Sequence, residues 1–215
     1  LEVARKAAGK GKLAYTGMQN GKIDCYRFAD DNATVTVSKK GGYVVYMRKS
    51  RNVGDNNTSY GKMLSKAQNY LEELGFENMV DTYYFTDSGI CVINFAYLDG
   101  QTICYTDLIK VGVAVDNGEI MLIETGGYLT NHTLRAFESI ETSPEAAEEV
   151  ISKLLDVGGV SVALIPTDGG GEVRCYEFAC KNEDGGDIMV YVNVKTLEVE
   201  QIFILLKTDG GTLVK

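Results

Sequence analysis

Few side chains in this sequence could carry out chemistry, and its single histidine is His132. A zinc hydrolase needs several His or Cys ligands and an open coordination position. A Ser-His-Asp or Cys-His site would have to use this one imidazole. His132 belongs to no HExxH or nucleophile-elbow pattern and lies in a connecting segment. We therefore predict a hydrogen-bonded linker histidine without a catalytic role.

The cysteines show no metal-binding or disulfide pattern. The sequence has five, an odd number, with irregular spacing and no C-x-x-C pair. They are Cys25, Cys91, Cys104, Cys175 and Cys180. Small buried strand side chains are the ordinary use of such cysteines. Two of them, Cys25 and Cys175, share a strand face with Arg27 and Glu177, so we expect those two to be reactive. No metal and no cofactor are predicted.

Paired carboxylates and a glycine-rich stretch are also poor candidates for catalysis. Glu72 and Glu73, like Glu148 and Glu149, are adjacent on predicted helices and diverge by about a third of a turn, so they cannot flank one bond. The glycines at 169–171 lack the Lys-Ser/Thr of a phosphate loop and predict a hairpin turn. The residues favour a protein that is not an enzyme.

The elements that must position these side chains occur three times. Segments 35–44, 111–120 and 190–199 each alternate apolar with small or polar residues, pass a polar turn and enter a second apolar run. The copies begin 76 (111 − 35) and 79 (190 − 111) residues apart. Asn117-Gly118 supplies the positive φ angles of a tight turn, so each segment predicts a β-hairpin.

A second signature precedes each hairpin, at 25–29, 92–96 and 175–179. Each copy has an aromatic residue and an alanine at matched offsets. Period-2 alternation places the aromatic side chains on one strand face and Arg27, Asn94 and Glu177 on the other. We expect the first face to be core and the second to be exposed to water. Two signatures in the same order indicate a triplicated unit.

Helical patterns precede the sheets. We expect residues 1–8 to be the end of a helix whose start is missing. A longer apolar stripe runs from Met63 to Leu74 before Gly75 and predicts a second helix, and Ser143-Pro144 predicts the start of a third, through Leu154. The predicted fold class is α+β: three tandem modules, each one helix on a three- or four-stranded antiparallel sheet. Their boundaries are 1–57, with most of its helix lacking, 58–130, and 131–215 with a linker.

The net charge of −9 is uneven along the chain. Residues 1–57 contain eleven Lys or Arg and five Asp or Glu, whereas the remainder contains ten and twenty-five. The basic residues are densest around the first hairpin, at Lys39, Lys40, Arg48, Lys49 and Arg51. Two readings stay open, a solvated face and a docking patch for an acidic partner or an anionic surface. Nucleic acid is not expected, because the acidic remainder would repel it.

Several stretches resemble the C-terminal region of the YpeB sporulation and germination family, which is built of PepSY domains. They are Tyr105-Thr-Asp-Leu-Ile-Lys-Val with the following 113–120, Gly127-Tyr-Leu-Thr-Asn-His132, and 163–170 leading into Cys175-Tyr-Glu-Phe178. The resemblance covers essentially the whole chain. One departure is Leu197, where PepSY hairpins often have glycine. Because leucine disfavours positive φ, we expect that turn to take another form.

The resemblance implies a non-catalytic role in the dormant spore. Members of this family partner the cortex-lytic enzyme SleB, each being needed for the other's presence. They act on the outer side of the spore inner membrane, in the cortex region, and their membrane anchor is expected only in the missing N-terminal region. The modules would hold the lytic enzyme in place and restrain it, and peptidoglycan is a further expected contact. The alternative is a propeptide-like protease inhibitor or folding-chaperone module.

Overall fold

Long antiparallel strands and few helices make up the structure, a computed structural model that describes residues 1–9, 11–208 and 211–214. The α+β class is confirmed. The helices are α1 (Glu2–Ala8), α2 (Tyr60–Glu73), α3 (Gly126–Asn131) and α4 (Pro144–Glu148). The strands are β1 (Ala14–Gln19), β2 (Cys25–Ala29), β3 (Ala33–Ser38), β4 (Val44–Lys49), β5 (Met79–Asp87), β6 (Ile90–Asp99), β7 (Thr102–Ala114), β8 (Ile120–Glu124), β9 (Asp156–Pro166), β10 (Glu172–Lys181), β11 (Asp187–Asn193), β12 (Val199–Thr208) and β13 (Gly211–Val214).

Two compact units divide the chain. Unit 1 comprises Leu1–Tyr97 and Asp107–His132, and unit 2 comprises Leu98–Thr106 and Thr133–Lys215. Unit 1 therefore contains strands of both the first and the second sequence copy. The division into modules at 1–57, 58–130 and 131–215 stays a prediction.

The sheet of unit 1 has the strand order β1-β2-β3-β4-β8-β7-β6-β5. Its two copies meet where β4 pairs antiparallel with β8, with Tyr46 opposite Glu124 and Met47 opposite Ile123. Met47 and Ile123 are fully buried in the same core cluster. Because both hairpins contribute to one core, the first two copies fold together.

Helix α2 packs on this core through an apolar stripe on one of its sides. Its buried residues Met63, Ala67, Tyr70 and Leu71 form one apolar stripe. Gly75, with φ of 86°, ends the helix, and the Phe76 N–H donates to the Leu71 carbonyl at 2.9 Å. This is a Schellman C-cap, which confirms the predicted stop at Gly75.

Unit 2 contains the sheet β9-β10-β11-β12, with β13 paired to β12. The first residues of β7 add to it in parallel, with Thr102 opposite Val162. Apolar clusters lie on both faces of this sheet, one around Phe178 and Val190 and the other around Cys175 and Tyr191. A sheet covered on both faces needs apolar residues at both strand parities.

The helix of the third copy is shorter than predicted. Ser143 caps α4 by accepting a hydrogen bond from the Ala146 N–H at 3.3 Å, as expected. The helix ends at Glu148 instead of continuing to Leu154. β-Branched Val150 and Ile151 and then Ser152 are weak helix formers, and β9 already begins at Asp156. A second difference is α3, which forms in the connector where no helix was predicted.

The expectation of one core face and one wet face is wrong for the second and third copies. Asn94 is fully buried on β6 and Glu177 is buried on β10. Ser161 Oγ donates to Glu177 Oε1 at 3.0 Å, and Asn94 Nδ2 donates to the Tyr83 carbonyl at 3.3 Å. In the first copy Tyr26, predicted to be core, is exposed instead.

The prediction that Leu197 forces a different turn is also wrong. Leu197 has φ of 57° and Gly118 has φ of 70°. Each donates its N–H four residues back, Leu197 to Asn193 at 3.0 Å and Gly118 to Ala114 at 2.8 Å. The two hairpins therefore share one turn geometry, and Leu197 adopts a left-handed backbone that L-residues disfavour.

Candidate functional site

The predicted basic patch lies at the two ends of strand β4. Lys39 and Lys40 lie in the turn that precedes β4, whereas Arg48 and Lys49 end that strand and Arg51 follows it. The strand residues from Val44 to Met47 lie between the two groups, which corresponds to roughly 13 Å of strand. The structure brings the five residues onto one hairpin but not into one cluster.

At the turn end, the backbone presents both lysines to solvent. Ser38 Oγ donates to the Lys40 carbonyl at 2.8 Å and accepts from the Tyr43 N–H at 2.9 Å. Gly41 then adopts φ of 82°, a left-handed conformation natural to glycine. Lys39 and Lys40 are exposed, and Lys39 Nζ lies 5.9 Å from the Tyr26 ring centroid, in cation–π range. The turn is therefore an exposed, positively charged tip.

At the other end, the cations are engaged by the Asp-Asn-Gly-Glu turn between β7 and β8. The Arg51 guanidinium donates to both carboxylate oxygens of Asp116 at 2.8 Å and, through Nε, to Glu119 at 2.7 Å. Lys49 Nζ donates to the other Glu119 oxygen at 2.8 Å. Bidentate Arg–carboxylate pairs are the strongest of ion-pair geometries. We call Lys49, Arg51, Asp116 and Glu119 the ion-pair cluster.

The electrostatics of the ion-pair cluster are those of matched charges. The hydrogen bond from Arg51, followed by that from the Gly54 N–H, lowers the pKa of Asp116 well below its ordinary value. Partial burial opposes ionisation of Glu119, but hydrogen bonds from Lys49 and Arg51 outweigh it and its pKa is lowered. Arg51 is held more firmly protonated, its pKa being raised chiefly by Asp116. Of the five predicted residues, Lys39, Lys40 and Arg48 are thus the exposed ones.

A cleft of about 680 Å³ in unit 1 is lined by residues of β1 to β4 and by both ends of α3. Hydroxyl, amide and amino side chains line it, namely Gln19, Lys22, Thr36, Tyr46, Thr130 and Asn131. Ile23, Val45 and three glycines also line it, so the cleft combines apolar surface with hydrogen-bonding groups.

His132 is a hydrogen-bonded linker residue, as predicted. Its Nδ1 lies 2.7 Å from Oδ2 of Asp107, a carboxylate on β7 that is fully buried. The imidazole stacks on Tyr128 at 4.3 Å between ring centroids and meets the edge of Tyr97 at 4.6 Å. The ring thus fixes the end of α3 to the sheet.

The cysteines are free and buried, all five of them. Burial, with the nearby Glu200 carboxylate second, raises the pKa of Cys175 to about 12. Burial likewise raises the pKa of Cys25. The expectation that these two are reactive is therefore wrong, because the thiolate is the nucleophile.

The acidic half of the ion-pair cluster was missed by sequence reasoning. Asp116 and Glu119 flank the Asn117-Gly118 turn, and these two carboxylates are the signal that could have assigned a partner to the basic stretch. Among the residues that the structure describes, no group of three or more His, Cys, Asp or Glu is placed to hold a metal ion. No helix of that part of the chain is long and apolar enough to cross a membrane.

This architecture defines the chain as an α+β protein of repeated antiparallel hairpins with short helices. Residues 6–138 match the family described as YpeB sporulation, PepSY1 and PepSY2 domains. The chain therefore belongs to the YpeB sporulation protein family.

Three curated relatives carry the name sporulation protein YpeB. The chain is 35% identical to the protein of Halalkalibacterium halodurans over 77% of this chain and 37% of that one. The protein of Oceanobacillus iheyensis is 26% identical over 86% of this chain and 40% of that one. The protein of Bacillus subtilis is 28% identical over 77% of this chain and 37% of that one. The chain thus spans about two-fifths of the length of these relatives.

A solved structure shares the fold. The Bacillus megaterium YpeB C-terminal domain superposes with a TM-score of 0.83 at 22% identity, covering 96% of each chain. The predicted resemblance to a YpeB C-terminal region is confirmed.

Proposed function

We propose that this chain is a non-catalytic interaction region that binds the cortex-lytic enzyme SleB, keeps it in place in the dormant spore and restrains it. The proposed location is the outer side of the spore inner membrane, in the cortex region. Membership of the YpeB sporulation family is the observation that carries the proposal.

The exposed tip formed by Lys39 and Lys40 is the proposed contact within the basic hairpin. Ion pairs already neutralise Lys49 and Arg51, so those two contribute charge only if the ion-pair cluster opens. Arg48 is exposed and extends the surface along β4. Exposed like charges steer an anionic partner at low ionic strength. Peptidoglycan is the second proposed ligand, with the cleft of unit 1 as its site.

The test is a pull-down of the lytic enzyme by this chain and, in parallel, by a longer chain that includes the preceding region. Lys39→Glu/Lys40→Glu should weaken capture about tenfold, because two attractive contacts become repulsive. Added salt should weaken wild-type capture in the same direction.

The matched control is Lys62→Glu/Lys153→Glu, which changes the net charge equally at two exposed lysines elsewhere. It should leave capture unchanged. No capture by either chain would reject the proposal. Capture of a protease in place of the lytic enzyme would favour the propeptide-like alternative.

A further inference from the structure

One face of the unit 2 sheet is apolar across four strands. In register, Val160 on β9 lies opposite Phe178 on β10, Phe178 opposite Val190 on β11, and Val190 opposite Ile202 on β12. The two middle side chains are buried, whereas the two outer ones are exposed. This face is therefore covered only in its middle.

The segment that covers it is α4 with the turns that follow. Ala147 and Ile151 pack in the core cluster with Phe178 and Val190. The side chains of β12 on this face stay in solvent, with exposed fractions of 41% for Val199, 56% for Ile202, 49% for Ile204 and 46% for Leu206. We call these four residues the β12 stripe. A run of aliphatic side chains that is half exposed is unusual on a protein surface unless something binds there.

The helix of the second sequence copy is longer than the helix of the third copy. Helix α2 has 14 residues, whereas α4 has 5. Nine fewer helical residues correspond to roughly 13 Å of helix. The helix on the unit 2 face is therefore shorter than the helix on the unit 1 core.

The net charge of unit 2 indicates what kind of helix would bind to its apolar face. Unit 2 contains seven Lys or Arg and sixteen Asp or Glu, whereas unit 1 contains fourteen of each, so the whole net charge of −9 resides in unit 2. Glu145, Glu148 and Glu149 are exposed on the segment that covers this face. A second copy docking here would bring acidic segments together, which costs free energy.

We propose that the β12 stripe docks an amphipathic helix of a partner protein, one with an aliphatic stripe on one side and lysines or arginines on the other. Its apolar side would complete the cover of the unit 2 face. Its basic side chains would be attracted by the net negative charge of unit 2. This mode of recognition places side chains at helical spacing into an apolar surface. The proposal concerns unit 2 and does not depend on the Lys39–Lys40 tip or on the lytic enzyme.

The test uses the whole chain and a fluorescein-labelled synthetic helix of about 18 residues, with leucines on one face and lysines on the other. Fluorescence anisotropy should show saturable binding. Ile202→Gln/Ile204→Gln should weaken it about tenfold, because apolar burial is lost. Glu145→Gln/Glu148→Gln/Glu149→Gln should weaken it several-fold at low salt and less at high salt.

Controls separate this binding from attraction between an acidic protein and any basic peptide. Met18→Gln removes an exposed apolar side chain of unit 1 and should leave the affinity unchanged, and circular dichroism should show every variant folded. A scrambled Leu/Lys peptide without an apolar face should bind at least tenfold more weakly. Equal binding of the scrambled peptide, equal binding to the Ile202/Ile204 variant, or a dimer in sedimentation that this variant abolishes would overturn the proposal.

Discussion

Arg51 and Asp116 are 65 residues apart in the sequence and are joined by two N–H···O bonds of 2.8 Å. Arg51 belongs to the segment after the first hairpin, and Asp116 to the turn of the second. The pair therefore reinforces the β4–β8 pairing that unites two sequence copies in one sheet.

Replacing Arg51 with glutamine should lower the melting temperature at neutral pH, because Asp116 and Glu119 lose their shared cation. The pKa of Asp116 is depressed in the folded chain. The contribution of the ionised Asp116 to folding stability is therefore fully present above its ordinary pKa of about 4. It is lost as the pH falls through the depressed pKa of the folded chain. The difference between wild type and variant should shrink below about pH 4. Thermal melts from pH 7 to 2 measure it, and a difference that grows in acid would contradict the assignment.

Replacing Leu197 with glycine should change the stability of unit 2 by less than about 1 kcal/mol. The relief of a left-handed leucine is offset by the chain entropy of glycine and by the loss of the contacts that Leu197 makes with the core cluster. The matched change is Gly118→Ala. It should destabilise unit 1 by about 1 kcal/mol, since φ is positive there and the added Cβ would lie 2.7 Å from Lys66 Nζ. Urea unfolding measures both, and a loss of more than about 1 kcal/mol in the Leu197→Gly chain would show that leucine packing outweighs the strain.

The thiols should react slowly with Ellman's reagent at pH 8 in the native chain and completely in denaturant. Burial raises the pKa of Cys175 to about 12, so a shift to pH 9 should leave it largely protonated and unreactive. Mass spectrometry after alkylation identifies each site. Rapid labelling of native Cys175 or Cys25 would contradict the buried position of these thiols.

Replacing His132 with alanine should lower the free energy of unfolding by about 1–3 kcal/mol, because the buried Asp107 carboxylate loses a hydrogen bond. Thr133→Ala, at the exposed next position, is the control and should have little effect. Urea unfolding measures both. A glycan or peptide turnover that His132→Ala abolishes would instead assign the imidazole to catalysis.

The hairpins were predictable because they are local. Alternating residues and Asn117-Gly118 specify strand, turn and strand without reference to the rest of the chain. The stop of α2 at Gly75 was predictable for the same reason.

Other features depend on tertiary contacts and could not be read from local patterns. The joining of β4 to β8 depends on two strand edges that become neighbours only in the fold. The same holds for burial of Asn94 and Glu177, because alternation shows which residues share a face but not whether that face is covered. Leu197 shows that neighbouring contacts can hold a residue in a backbone region it disfavours.

The β4–β8 pairing has a consequence for limited proteolysis. The connector around Asp55 and Asn56 is exposed, while Arg51 before it and Thr58 after it are tied to the 115–119 turn, Thr58 through its N–H to the Val115 carbonyl at 2.9 Å. A nick between Asp55 and Asn56 would therefore leave two peptides that co-elute in gel filtration and separate only in denaturant.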